Sequence, residues 1–286
     1  MKPVADVFEE HRGMLFGIAY RLLGSVADAE DIVQDAWLRW AKVTEPVEHP
    51  KAYLARTVTN LAINRLRSAA VTRESYVGPW LPDPLVTTPD ATDGVELAES
   101  VSLAIMVVLE SLSPLERAVF VLHEAFGFGY TEIAGMLDRS AASVRQLGHR
   151  AHEHVQARRP RYEPAEQQRK ELTERFLTAS AGGDIAEMMS VLAPDVTLVS
   201  DGGGKRRAAL RPVLGADKVV RFILGVWQKL PPSPVVSGVL VNGAPGILIS
   251  AGGEPDTVAC FEVADGRVTE INVIRNPDKL RHITAI

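Results

Sequence analysis

The spacing of apolar residues changes character along this chain, and the changes divide it. From residue 6 to 75 the period is helical throughout. Phe8, Leu15, Ile18, Ala19 and Leu22 mark a first helix, which Gly24-Ser25 breaks. A second run places Val26, Ala29, Ile32, Val33, Ala36, Trp37 and Trp40 on one face and Asp28, Asp31, Gln34, Asp35 and Leu38 on the other, with Ser25 or Asp28 as its cap. After Pro50 a third helix covers Ala52 to Arg67, with Tyr53, Leu54, Val58, Leu61, Ala62 and Leu66 inward and Arg56, Asn60, Asn64 and Arg67 along one outward side. Between Gly78 and Asp93, Pro79, Pro82, Pro84 and Pro89 interrupt any regular element, which predicts a linker. Helical periodicity resumes near Val95 and runs to about Ala157, broken at Ser113-Pro114 and at Gly127 to Gly129. Arg158 to Pro164 reads as a second linker.

From Ala165 the pattern is mixed. A helix over Glu166 to Ala181 stops at Gly182-Gly183, and a short one follows over Ile185 to Leu192. Then come the β-prone runs Val196 to Ser200, Val235 to Val241, Gly246 to Ala251, Thr257 to Val263 and Arg267 to Ile274. The expected organisation is a multidomain chain: a helical domain at 1–76, a linker at 77–94, a second helical domain at 95–158, a linker at 159–165 and an α+β domain at 166–286.

With 286 residues, 46% of them apolar, the chain is long enough for two or three cores. Its single cysteine, Cys260, excludes an intrachain disulfide framework and suits a reducing compartment, so a cytoplasmic location is expected. The first thirteen residues carry Asp6, Glu9 and Glu10 where a secretory signal would be basic and then apolar. The longest greasy stretch, Val101 to Leu109, is too short to span a bilayer, and no membrane partner is expected.

A net charge of −5 argues against a nucleic-acid partner until it is resolved along the chain. Lys51 to Arg73 holds five cations (Lys51, Arg56, Arg65, Arg67, Arg73) and no acid, and Arg139 to Arg159 holds five arginines against Glu153. Arginine contacts phosphate, and asparagine amides read base edges, so the 52–67 helix suits opened DNA, with a solvated helix as the plain alternative. Thr131 to Val155 has the spacing of a helix-turn-helix. Asp138-Arg139-Ser140 form the turn and Ser140 the cap, and the second helix presents Ser143, Arg145, Gln146, His149 and Arg150 to a major groove. An ordinary helical hairpin is the plain alternative there. Gly148 inside that helix costs on the order of 1 kcal/mol relative to alanine.

The order of these segments, with YLARTVTNLAINRLR in the third helix and SPLERAVFVLHEAFGFGYTEIAGML before the recognition-type helix, resembles the extracytoplasmic-function sigma factors over about residues 6–158. The resemblance implies two all-α domains, like sigma regions 2 and 4. It implies that Asp28, Glu30, Asp31, Gln34 and Asp35 dock on the β′ clamp of RNA polymerase, with the β flap as a second contact. It further implies that Arg56, Asn60, Asn64, Arg65 and Arg67 read an opened −10 element, and that Ser143, Arg145, Gln146, His149 and Arg150 read a −35 element. Leu147 and Gly148 depart from the family pattern, which has a polar residue and a leucine there, so a differently packed or rotated helix is expected.

The C-terminal third resembles the SnoaL-like domains, cone-shaped α+β barrels whose enzyme members cyclise polyketides. WLPDP at Trp80 to Pro84, DGGGK at Asp201 to Lys205 and NPDKL at Asn276 to Leu280 together resemble the sigma-factor subgroup with such an extension. A proton shuttle needs a carboxylate or imidazole in an apolar pocket. Asp195 and Asp201 both read equally well as turn residues, so no enzyme is expected. Neither a cofactor nor a metal is expected: Gly202 to Gly204 lack Walker spacing, and only His149 and His152 share a helical face. The expected role of the third domain is control in cis, without a strict need for a separate anti-sigma factor. Trp80 would be the apolar anchor, and Asp83, Asp201, Lys205, Asn276, Asp278 and Lys279 the polar part of the lock. A small molecule in the barrel could bias that state. Two alternatives stay open: a SnoaL-type enzyme localised by a helical module, and a one-component repressor.

Overall fold

The computed structural model describes residues 3–87, 102–157, 166–230 and 233–283. They fall into two units, one built from Met1–Ser75 and Ile105–Arg159, the other from Tyr76–Ala104 and Pro160–Ile286.

The first unit is helical. Helix α1 (Val4–Leu23) ends where Gly24 turns left-handed at φ 68°, and Ser25 starts α2 (Val26–Trp40) by accepting from the Asp28 N–H. Helix α3 (Pro50–Glu74) completes a bundle cored by Leu15, Ile18, Leu22, Ala29, Ile32, Leu54, Val58 and Ala62. Helix α4 (Leu103–Leu109) precedes α5 (Pro114–Phe120), whose start is fixed by a reciprocal Ser113–Glu116 capping box. A π-helical turn over Val121–Ala125 leads to α6 (Tyr130–Leu137); Asp138, left-handed at φ 52°, closes that helix, and Ser140 caps α7 (Ala141–Gln156).

The two helical segments are packed on each other within this unit. The Arg117 Nε donates to the carbonyl of Arg21 at 3.0 Å, and Arg117 also pairs with Glu110 at 2.5 Å. The Asn60 amide of α3 donates to the Met136 carbonyl of α6 at 3.2 Å. Lys51 lies over Phe128 and Arg21 over Phe126, each 5.3 Å from the ring centre. Nothing in the apolar spacing foretold Arg21 or Arg117 as buried groups, because a buried arginine is defined by its partners.

The second unit is α+β, the class expected. Helices α8 (Glu166–Gly182) and α9 (Ile185–Val191) precede β2 (Leu192–Asp201), β3 (Val213–Leu214), α10 (Ala216–Trp227), β4 (Val235–Val241), β5 (Ala244–Ala251), β6 (Glu254–Ala264) and β7 (Arg267–Ile274). With β1 (Val86–Thr87) they form one sheet in the order β1-β4-β5-β6-β7-β2-β3, antiparallel except for β2 against β7. One face carries Leu198, Ile247, Ile249, Ala259, Phe261 and Ile271 against Leu172 and Phe176 of α8, Met188 of α9 and Val219 of α10.

Three elements differ from the sequence expectation, the short strand β3 (Val213–Leu214) being one, in a stretch where no element was assigned. Helix α10 falls where no element was assigned: Phe222-Ile223-Leu224-Gly225 is a short apolar run with a glycine, ambiguous between helix and strand by composition. Strand β1 arises inside the proline-rich stretch expected to be a linker; Val86 pairs with Val241 and Thr87 with Leu240. The described residues of that stretch, 77–87, belong to the second unit.

Candidate functional site

On the first unit, α2 turns Ala29, Ile32, Val33 and Ala36 into the bundle and leaves Glu30, Asp31, Gln34 and Asp35 exposed. Asp28 is half-buried because Arg65 of α3 holds it, at 2.5 Å from Nη2 and 3.0 Å from Nε; Asp31 lies 3.8 Å from the same guanidinium. That hydrogen bond, with the Asp28 charge, raises the arginine pKa above its ordinary value. Glu30 pairs with Arg12 at 3.1 Å. The α3 residues expected to read opened DNA therefore separate. Arg56, Asn64 and Arg67 are exposed, Arg65 is tied to the α2 acids, and Asn60 is half-buried with its amide spent on Met136. The expected outward row is incomplete at Asn60 because α6 packs there.

On α7 the outward set is presented as spaced. Arg145, Gln146, His149 and Arg150 are exposed and Ser143 is half-buried, while Val144, Leu147, Ala151 and Val155 are inward. Arg150 is engaged with Glu116 at 3.2 Å, and His149 faces Glu153 at 3.7 Å. His152 sits 3.9 Å from Glu124, and His154 2.9 Å from the Ser111 hydroxyl. Gly148 now has a reason. A Cβ at this position would stand 2.8 Å from the Tyr130 ring, which is stacked on His123 at 4.2 Å. The glycine lets the first helix of the motif approach the second.

On the second unit a polar cluster is buried at the end of β2. Asp201 is fully buried, and its carboxylate pairs with Lys279 at 2.9 Å. It also accepts from the Tyr76 hydroxyl (2.6 Å), the Leu81 N–H (2.9 Å) and the Gly203 N–H (3.0 Å). So Asp201, which read as a turn residue, is a buried anion with four donors around it. The Lys279 ammonium donates to the Leu81 carbonyl and stands 3.8 Å above the centre of the Trp80 ring. Asn276 donates to the Tyr76 oxygen at 2.8 Å and accepts from the Asp278 N–H. Burial, then the bond to Asp201, pushes the Tyr76 phenol well up from its ordinary value. Lys205 pairs with Asp278 on the exposed rim and lowers that carboxyl's pKa. Asp83 is buried in the same segment.

The structure thus brings Trp80, Asp201, Lys205, Asn276, Asp278 and Lys279 together. Sequence reasoning missed Tyr76, His282, which bonds the Pro84 carbonyl at 2.8 Å, and Asn242, whose side chain accepts from the Leu85 N–H at 3.0 Å. None belongs to the three motifs, and only tertiary pairing reveals them. The glycines of DGGGK are needed by close approach. A Cβ on Gly202 would lie 2.2 Å from the Arg206 carbonyl; one on Gly203, at φ 57°, 2.3 Å from the Asn276 amide.

Residues 7–72 match the Sigma-70 region 2 family and residues 102–155 the Sigma-70, region 4 family. The ECF RNA polymerase sigma factor SigJ of Mycobacterium tuberculosis is 43% identical over 95% of this chain and 91% of its own length. The chain belongs to the extracytoplasmic-function RNA polymerase sigma factors. SigI of the same organism is 32% identical, covering 99% of this sigma factor and 97% of SigI. The crystal structure of SigJ superposes with a TM-score of 0.80 and 39% identity, covering 97% of this chain and 98% of that one. This sigma factor directs transcription initiation, and its partners are core RNA polymerase and promoter DNA. Both region families end before the α+β extension, which the SigJ similarity includes. Among the described residues, no helix is long and apolar enough to cross a membrane.

Proposed function

We propose that this sigma factor is controlled in cis by its C-terminal domain, through the buried Asp201–Lys279 pair that grips the chain as it leaves α3. Glu74 ends α3, and Tyr76, two residues on, is already bonded to Asp201. The domain therefore acts on the segment joining regions 2 and 4. The proposed roles are that Asp28, Glu30, Asp31, Gln34 and Asp35 dock on the β′ clamp, that Arg56, Asn60, Asn64, Arg65 and Arg67 read the −10 element, with Asn60 available once its bond to Met136 opens, and that Ser143, Arg145, Gln146, His149 and Arg150 read the −35 element.

A distance argument supports an off state. Promoter elements some 25 base pairs apart are separated by roughly 80 Å at about 3.4 Å per base pair. Yet the Asn60 amide and the Met136 carbonyl are 3.2 Å apart. Reading both elements at once requires α3 and α6 to part, and the linker must be free to span them. A linker segment held in a folded domain is shorter than its residue count, so releasing it raises the reach.

The test compares full-length chain, a chain ending at Arg275 and Trp80→Ala in a promoter reporter, with core-polymerase binding measured in parallel. Loosening the lock raises output while core binding persists. Equal output from all three, with folding and core binding intact, overturns control in cis.

A further inference from the structure

A third cationic stretch lies in the C-terminal domain, in the connection from β2 to β3. Gly202 to Ala216 holds Lys205, Arg206, Arg207 and Arg211 and no acid, in a chain whose net charge is −5. All four cations are exposed. Two acids face them from neighbouring elements, and both are already engaged. Asp278, which Lys205 pairs with, is shared with Arg281 at 2.6 Å. Asp256 is close enough to Arg206 for that charge to help lower its pKa, but it is buried and paired with Arg275 at 2.8 Å. Arg206, Arg207 and Arg211 make no ion pair among the described residues.

The backbone beneath these charges is pinned. The Lys205 and Arg206 N–H groups both donate to the Gly202 carbonyl, at 2.9 and 3.0 Å, through a turn in which Gly203 and Gly204 are left-handed. The Arg207 carbonyl accepts from Arg275 at 3.1 Å, and the Ala209 N–H donates to the Ser200 hydroxyl at 2.7 Å. The fold therefore holds like charges close together against their mutual repulsion. An anion that presents several charges in a row relieves that repulsion, and the guanidinium fork matches phosphate oxygens. A lipid surface fits less well. Leu210 and Leu214 are the large apolar residues exposed in this stretch, and two leucines without an amphipathic helix bury little in a membrane interface.

Tethering favours DNA. Helix α7 ends at Gln156 and α8 begins at Glu166, so nine residues join them, spanning at most about 32 Å. That is close to one turn of B-DNA. With α7 on the −35 element, which rests on the reading above, the C-terminal domain is delivered to the neighbouring duplex at high effective concentration. We propose that Arg206, Arg207 and Arg211 contact the phosphate backbone of promoter duplex beside the −35 element, adding affinity that does not depend on sequence.

Holoenzyme assembled from core polymerase and the full chain tests this on a promoter fragment, with affinity measured across a salt series and backbone protection read by hydroxyl-radical footprinting. The triple variant Arg206→Gln, Arg207→Gln, Arg211→Gln binds at least about tenfold more weakly at low salt. Its slope of log affinity against log salt is shallower by about 2 to 3, since each phosphate contact contributes about 0.9. It also loses a protected patch beside the −35 element and weakens altered promoters by the same factor. The corresponding triple lysine variant keeps the wild-type slope. Arg211→Gln alone, at an exposed position, shifts the slope by about 0.9 and decides the matter should the triple variant misfold. The proposal is overturned if the glutamine variants keep the wild-type slope and footprint. It is equally overturned if they lose only core-polymerase affinity or only binding to phosphatidylglycerol vesicles, which would assign the cations to those surfaces. The α7 reading fails separately, by Arg145→Ala with Gln146→Ala leaving protection of the −35 element itself intact.

Discussion

The Asp28–Arg65 pair on the helical unit and the Asp201–Lys279 pair in the C-terminal unit are the same chemistry in opposite surroundings. The first has side chains 31% and 49% exposed, the second 0% and 7%. An exposed pair contributes about 0–1 kcal/mol and is screened by salt, so its partners can be exchanged for those of another molecule. A buried pair behaves differently. Its formation roughly breaks even against an apolar substitute, but loss of one member leaves a desolvated charge. Surfaces meant to change partners belong to the first kind, and a device meant to be either shut or open belongs to the second.

The largest effect expected from this contrast is at Lys279. Lys279→Met strands the Asp201 carboxylate and destabilises the C-terminal unit by about 3–5 kcal/mol, read from urea unfolding of the full chain. Adding Asp201→Asn to Lys279→Met restores most of that loss, because the buried charge is gone. A double variant as unstable as the single would show that shape, not charge, holds the lock.

Much of this contrast was legible in the sequence, though unevenly. The amphipathic runs of α1 to α3 and the capped helix-turn-helix follow from local spacing, which fixes which face is buried. The three motifs of the lock were visible as unusual strings. What spacing could not supply was their burial: Asp201 before three glycines looks the same whether it starts a hairpin or anchors an ion pair, because two of its four donors come from Tyr76 and Leu81, more than a hundred residues earlier, and a third from Lys279 near the other end of the domain. The same holds for Asn60, whose place on α3 was clear but whose partner, Met136, lies on another helix.

Next in size is the loop. Gly203→Ala imposes a Cβ at positive φ and within 2.3 Å of the Asn276 amide, so it should cost about 2–3 kcal/mol and loosen the Tyr76–Asn276 bond. Tyr76 fluorescence is obscured by four tryptophans, so hydrogen exchange at Leu81 is the better readout: its N–H, bonded to Asp201, should lose protection. Unchanged exchange with lowered stability would separate the loop from the lock.

A pair of intermediate character sharpens the comparison. Asp256 is buried against Arg275. Burial acts to raise its pKa, but the Thr257 hydroxyl and the Arg275 guanidinium outweigh this and hold it below its ordinary value. With the folded pKa below the unfolded one, the group stabilises the fold above about pH 4 and that contribution is lost as pH falls further. Asp256→Asn should be less stable at neutral pH and show a shallower decline below pH 4 by thermal melting. An acid limb identical to wild type would mean the pair contributes nothing that depends on its charge. In the helical unit, Gly148→Ala offers a comparable test of close packing. Helix propensity alone predicts a gain of up to about 1 kcal/mol, whereas the Tyr130 ring at 2.8 Å predicts a loss of about 1–2 kcal/mol.

The smallest stability effect belongs to the exposed pair, and it is the most informative about function. Arg65→Gln should change unfolding free energy by less than about 1 kcal/mol, since both partners remain hydrated. Its effect on polymerase should be opposite in sense to ordinary damage. Arg65 neutralises Asp28 and lies near Asp31, so removing it leaves the α2 face more negative. If those acids meet a basic surface of the core enzyme, holoenzyme formation tightens a few-fold at low salt, and the gain fades as salt rises toward 0.3 M and the Debye length falls to a few ångströms. Binding curves at two salt concentrations decide it. Weaker binding with a cost above about 2 kcal/mol would make the Asp28–Arg65 pair a structural tie like Asp201–Lys279, and the division between exchangeable and locked charges would fail at its exposed end.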